Sequence, residues 1–178
     1  MADLSDKRIA ILVHNFFEQA ELSEPLRALE NAGAEVDVIA PKGDTVQGMN
    51  HAEMADEFDV DFLLDDIDFD DYDALVLPGG TINADHLRME ERAKEWVNYC
   101  VTNTKPLAVI CHAPWVLVSA GITDGLKLTS YPTLQDDIRN AGGEWVDEEV
   151  VIDGSIITSR NPDDIPAFNK ALADMLSE

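Results

Sequence analysis

Basic residues and cysteine are scarce in this sequence. Its 178 residues include 12 Lys and Arg against 36 Asp and Glu, a formal charge of −24. So few cations argue against nucleic acid and anionic membrane as partners, because phosphate binding depends on clustered Lys and Arg. No run of about 18 apolar residues is present to span a bilayer. The opening Met1-Ala2-Asp3-Leu4-Ser5-Asp6-Lys7-Arg8 runs straight into an apolar strand pattern, which is not the build of a signal peptide. With two cysteines and no export signal, the expectation is reduced thiols in a cytoplasmic protein and no disulfide framework. The G-x-G-x-x-G and G-x-x-x-x-G-K phosphate loops are missing, as are C-x-x-C and H-E-x-x-H spacings, so neither a cofactor nor a metal is expected.

What is present is enough apolar material for a core: 46% of the residues are hydrophobic, too many for an acidic disordered chain. No repeat, low-complexity tract or linker interrupts it, and residues 1–178 read as one domain. Eleven acids and no Lys or Arg fall between Glu53 and Asp73. Such a run repels itself at low ionic strength, whereas molar salt shortens the Debye length to about 3 Å and screens the repulsion. A solvated acidic face in the salt-saturated cytoplasm of an extreme halophile is the expectation. A divalent-cation site is the rival reading, against which stands the lack of an EF-hand spacing and its loop glycine.

Apolar runs at 8–13, 74–77 and 106–111 read as strands buried on both faces, with 35–40 as a further strand. Leu22, Leu26 and Leu29 carry helical spacing over 19–32, where Pro25 is tolerable only near the first turn after a Ser23 cap. Residues 45–58 suggest a hairpin or short edge strands, and a long helix is expected over 85–101. Helices at 114–120 and 133–141, a hairpin turning at Asp153-Gly154 and a last helix opened by Asn161-Pro162-Asp163-Asp164 complete the pattern. This alternation predicts a three-layer α/β/α sandwich with a largely parallel central sheet, flavodoxin-like in arrangement. Ligands in such folds sit at the carboxyl ends of the strands, so the loops after Val13, Leu77 and Ile110 are where function is expected.

Cys111 stands where a strand turns directly into a helix, the setting of a nucleophile elbow. A helix N-terminus there favours the thiolate, and the His112 N–H lies where it can hold an oxyanion. A small buried residue closing a strand is the plainer reading of such a cysteine. Cys100, in the middle of an apolar helix pattern, is expected to be inert core. Of the four histidines His14, His51, His86 and His112, only His112 is tied to the elbow. Glu18, among Phe16 and Phe17, is either an ordinary first-turn acid or a carboxyl with raised pKa able to donate a hydrogen bond to sulfur. Gly79-Gly80 reads as a plain turn or as a loop allowing close backbone approach.

Taken together, these segments resemble the PfpI/ThiJ family, relatives of the class I glutamine amidotransferase fold. The matching pieces are Phe17-Glu18-Gln19-Ala20-Glu21-Leu22, Asp73-Ala74-Leu75-Val76-Leu77-Pro78-Gly79-Gly80, Ala108-Val109-Ile110-Cys111-His112-Ala113-Pro114, Ser130-Tyr131-Pro132, and Thr158-Ser159-Arg160-Asn161-Pro162-Asp163-Asp164. The resemblance implies Cys111 as nucleophile, His112 as its base and Glu18 as the carboxyl beside the sulfur. It further implies Asp85, after one inserted residue, as a triad acid presented by a neighbouring subunit. Gly80 and His112 would supply the oxyanion N–H groups and Tyr131 would line the pocket. Ala113 stands where many relatives have Gly, and its methyl is expected to narrow that pocket. No histidine follows His112, so the His-x-Glu pair of a true amidotransferase is missing. The activities implied are peptidase, glyoxalase-type and protein deglycase, on a small dicarbonyl, a glycated protein or a peptide. A homo-oligomer (dimer, trimer or hexamer) is implied as well. The rival class is a stress protein that uses a reactive Cys111 as a redox sensor, or acts as a chaperone, without turnover.

Overall fold

The computed structural model describes residues 3–178; Met1 and Ala2, the start of the segment read as no export signal, lie outside the described residues. In chain order the elements are β1 (Arg8–Leu12), β2 (Phe17–Glu18), α1 (Gln19–Asn31), β3 (Glu35–Ala40), β4 (Thr45–Asn50), β5 (Glu53–Asp59), β6 (Phe62–Leu63) and β7 (Ala74–Leu77). Then come α2 (Thr81–Leu87), α3 (Glu91–Thr102), β8 (Leu107–Ile110), α4 (Pro114–Ala120), β9 (Lys127–Leu128) and α5 (Gln135–Asn140). The chain closes with β10 (Glu144–Trp145), β11 (Val151–Asp153), β12 (Ile156–Ser159) and α6 (Ile165–Leu176).

Seven strands form the central sheet in the order β11-β12-β8-β7-β1-β3-β6, every pair parallel except the β11–β12 hairpin at the edge. Period-two alternation divides the core between its faces. Ile9 and Ile11 of β1 meet Leu22 and Leu29 of α1 and Phe168 and Leu172 of α6 on one side. Ala10 and Leu12 meet Leu87, Trp96, Val97 and Leu117 of α2, α3 and α4 on the other. Both faces are covered, which is why these strands read as continuous apolar runs. The result is the expected three-layer α/β/α sandwich. Among the described residues no helix is long and apolar enough to cross a membrane.

Three local expectations are corrected. α1 runs straight through Pro25, seven residues in; Ser23 lies inside the helix and caps nothing. Burial of the Pro25 ring on the face shared with Leu22 and Leu29 offsets the lost backbone bond. The long helix over 85–101 is two, α2 and α3, broken at Arg88–Glu90. The last helix starts at Ile165, after a single 3-10 turn over Pro162–Asp164. Residues 45–59 do form a hairpin, but β4 pairs with β2 in a small separate sheet, which swings the hairpin tip toward the loops after β1 and β8. All eleven acids of the run from Glu53 to Asp73 are exposed, and no cluster of three or more metal-ligating side chains occurs among the described residues.

Candidate active site

β8 ends at Ile110, and the next residue, Cys111, takes φ +64°. A side chain rarely occupies that region, and here the surroundings hold it there. The Cys111 N–H donates to the Ser159 carbonyl (3.0 Å) and the Tyr131 N–H donates to the Cys111 carbonyl (2.8 Å). The turn thus projects the sulfur off the end of the sheet into a cleft of about 910 Å³. Backbone N–H groups of Gly80 and His112 converge on it. Gly80 is there because φ +90° and backbone atoms at 2.8 Å leave no room for a Cβ. At Gly79 a Cβ would stand 2.6 Å from both the Cys111 Cβ and the Glu21 carboxyl. Close backbone approach is therefore what the glycine pair provides.

The carboxyl beside the sulfur is that of Glu21, not Glu18. The first turn of α1 explains the exchange: Glu21 falls on the helix face of Leu22 and Pro25, which points inward, whereas Glu18 precedes the helix and turns toward the cleft mouth. Glu21 Oε2 accepts the Gly79 N–H at 2.7 Å. Its Oε1 has no nitrogen or oxygen partner, which leaves Cys111 as the group its proton can face. Burial pushes the Glu21 carboxyl up to about 8, so at neutral pH it is mostly protonated. Its place on the apolar stripe of α1 is the signal for a buried acid, legible only once the start of that helix is fixed.

The thiol departs from the expected low pKa. Burial pushes Cys111 up, the Glu21 carboxylate adds to the rise, and the Gly80 and His112 N–H groups work against it. The Glu21 contribution vanishes while that carboxyl holds its proton. Cys100 packs among Trp96, Val97 and Leu107 as inert core, its thiol pushed up to about 12 by burial.

His112 Nδ1 lies 3.2 Å from the Cys111 sulfur, and its Nε2 lies 3.3 Å from the Thr81 hydroxyl. Burial lowers its pKa and so favours the neutral imidazole, a proton acceptor. The ring stacks on Tyr131 with centroids 4.6 Å apart, and Trp115 closes its edge at 5.5 Å. Tyr131 lines the cleft. Asp85 is exposed on α2 and makes no hydrogen bond to His112 within the chain. His14 and His86 pair with each other, Nδ1 to Nδ1 at 3.3 Å, away from the cleft lining. His51 sits on the cleft rim, at the tip of the β4–β5 hairpin.

Several contributors to the cleft are not among the site residues expected from the sequence. Thr81 follows the glycine pair, Met49 and Ala52 come from the hairpin, and Asn161 to Asp163 form a wall after β12. Asn83, fully buried, donates to the Pro78 and Gly79 carbonyls and accepts the His14 N–H, so it fixes the glycine loop against β1. The Ala113 methyl does not narrow the pocket: it is fully buried in the core on the far side of the elbow.

The sequence model of the DJ-1/PfpI family matches residues 7–175. General stress protein 18 of Bacillus subtilis is 40% identical over 97% of this chain and 99% of its own length. Deglycase PfpI of Pyrococcus furiosus is 38% identical over 95% of this chain and 99% of its own length. Among solved structures, DJ-1beta of Drosophila melanogaster superposes with a TM-score of 0.88 at 28% identity, covering 96% of this chain and 90% of that one.

Proposed function

Because the chain belongs to the DJ-1/PfpI family, we propose that it is a cysteine-dependent hydrolase acting on electrophilic carbonyls, with Cys111 as nucleophile. The observation that carries this reading is the strained elbow itself. A thiol held at φ +64° in a cleft wall, with an imidazole nitrogen at 3.2 Å and two backbone N–H groups on the sulfur, has no structural purpose that an ordinary residue would not serve better.

The chemistry follows from those contacts. His112 Nδ1 takes the thiol proton as sulfur bonds to the carbonyl carbon and the C=O π pair moves to oxygen. The Gly80 and His112 N–H groups donate to that oxyanion. Protonated Glu21 donates to the sulfur and keeps a second negative charge out of the site. With a dicarbonyl, His112 returns the proton to the oxygen and a hemithioacetal results. A proton shift from the carbinol carbon of that hemithioacetal to the adjacent carbonyl carbon, redox-neutral within the substrate, gives a thioester that water hydrolyses to lactate and the free thiol. With a peptide the proton goes to the departing nitrogen and the thioester forms directly, whereas a glycated amine loses its protonated nitrogen as free amine and the dicarbonyl carbon enters the same hemithioacetal. Asp85 of a neighbouring copy orients His112 from its Nε2 side, beside Thr81, in a homo-oligomer.

Lactate release from methylglyoxal, measured on the full chain in 2 M KCl, tests this. Turnover abolished by Cys111→Ser and retained by Cys100→Ser is the expected result; turnover surviving in Cys111→Ser overturns it. Release of peptides from casein separates peptidase from aldehyde chemistry. Oxidation of Cys111 without any turnover favours the rival reading, a redox-sensing stress protein, in keeping with the similarity to a general stress protein.

A further inference from the structure

Glu18 has no part in the chemistry above, yet it lines the cleft. Its side chain is only 13% exposed, and no Lys or Arg pairs with it among the described residues. It accepts the His51 backbone N–H, at 3.2 Å to Oε2 and 3.4 Å to Oε1. The His51 ring nitrogen is 4.0 Å away on a side chain 82% exposed, a loose and optional partner. A carboxylate so far withdrawn from water gains from any cation brought to it. Asp163 stands on the other side of the nucleophile, since β12 lies beyond β8 while β1 lies beyond β7. Its loop is set by the Asp163 N–H donating to Asn161 Oδ1 at 3.0 Å. Among the described residues neither Lys nor Arg lines the cleft, and Glu21 Oε1, which has no nitrogen or oxygen partner, lies on its floor.

We propose that Glu18, with Asp163, is a charge-selecting residue: the cleft favours carbonyl substrates bearing an ammonium or guanidinium group near the reacting carbon and disfavours those bearing a carboxylate. This rests on Cys111 being the nucleophile of the cleft. Acidic side chains are abundant everywhere on this chain, so the diffuse field of the −24 charge must be separated from a local effect. Molar salt does that. It screens distant charges, whereas a half-buried carboxylate in contact with its ligand is screened much less.

The test compares Cys111 modification in 2 M KCl by methanethiosulfonates carrying a cationic 2-aminoethyl, a neutral methyl or an anionic 2-sulfonatoethyl group, read by mass spectrometry at Cys111. In each case the Cys111 thiolate attacks the sulfenyl sulfur, forms a mixed disulfide with the reagent's own group and expels methanesulfinate, so the ratio of rates cancels any uniform change in thiol reactivity. The cationic reagent is expected to outpace the anionic one by about fivefold, the size of one partly exposed ion pair. Glu18→Gln, which keeps the acceptor for the His51 N–H, and Asp163→Asn bring the ratio toward one, while Asp174→Asn on the remote α6 leaves it unchanged. A ratio near one in the wild type, or one equally lowered by Asp174→Asn, overturns the proposal. Labelling needs only an accessible thiol. A protein that labels selectively but turns over no carbonyl therefore defeats the proposed activity and not the charge selection.

Discussion

Glu21 and Cys111 share one buried corner of the cleft, the carboxyl tied to the Gly79 N–H at 2.7 Å on one side and facing the sulfur on the other. The ordinary value of 4.5 for the carboxyl is pushed up to about 8 by burial. Below pH 4.5 Glu21 is protonated both folded and unfolded, and its full contribution to stability is present. Between 4.5 and about 8 the unfolded chain releases a proton the folded chain keeps, so stability falls as pH rises, by up to about 1.4 kcal/mol per unit. His112 acts oppositely, but only in acid, because its pKa is lowered from 6.5. Denaturation midpoints between about pH 6.5 and 8 therefore isolate Glu21. The wild type should lose stability across that window, and Glu21→Gln should flatten the slope.

Gly79→Ala sets a methyl 2.6 Å from both the Cys111 Cβ and the Glu21 carboxyl and 2.9 Å from the Ile110 carbonyl. Two of those neighbours are held by the elbow and one by burial, so none yields freely. A loss of about 1–3 kcal/mol is expected, with a larger fall in Cys111 alkylation than in Glu53→Ala on the exposed hairpin. Unchanged alkylation would mean that the loop moves without disturbing the sulfur.

Asp85 tests the role of assembly. Within one chain it is exposed and does not meet His112. If a neighbouring copy presents it, Asp85→Ala lowers kcat by about tenfold or more, in line with the loss of a group that orients a general base. Alkylation of Cys111 changes little, because the thiol is governed by burial first and then by Glu21 and the two N–H groups. Equal losses in both measurements would show that Asp85 tunes the thiol instead.

The exposed acids of the run from Glu53 to Asp73 make a salt prediction. Their mutual repulsion destabilises the compact state at low ionic strength and is screened in concentrated salt. The thermal midpoint should rise steadily between 0.1 M and 2 M KCl. A midpoint independent of KCl would show that the charge is spread widely enough to be neutral to stability.

Much of this molecule is written in local pattern. The buried strands, the sandwich they imply, the elbow at Cys111 and the glycine pair beside it all follow from continuous apolar runs that end in loops at one edge of a parallel sheet. Such runs bury both faces whatever the partners turn out to be, so tertiary detail is not needed to see them. Helix boundaries were less legible. The stop at Arg88–Glu90 carries no Gly or Pro, and Pro25, which does carry the breaker signal, is overridden by the core it packs against.

The identity of the carboxyl at the sulfur was decided by tertiary structure alone. Glu18 and Glu21 are three residues apart, nearly one helical turn, and local sequence treats them almost alike. Where α1 begins determines which points at Cys111 and which at the cleft mouth. That start is fixed by Glu18 pairing, as part of β2, with the distant β4. The sequence by itself determined that a cysteine stands at the end of a core strand. Only the fold decided which acid is buried against it, because burial depends on what the other elements bring to the same corner, and burial is what makes that carboxyl a proton donor rather than an anion.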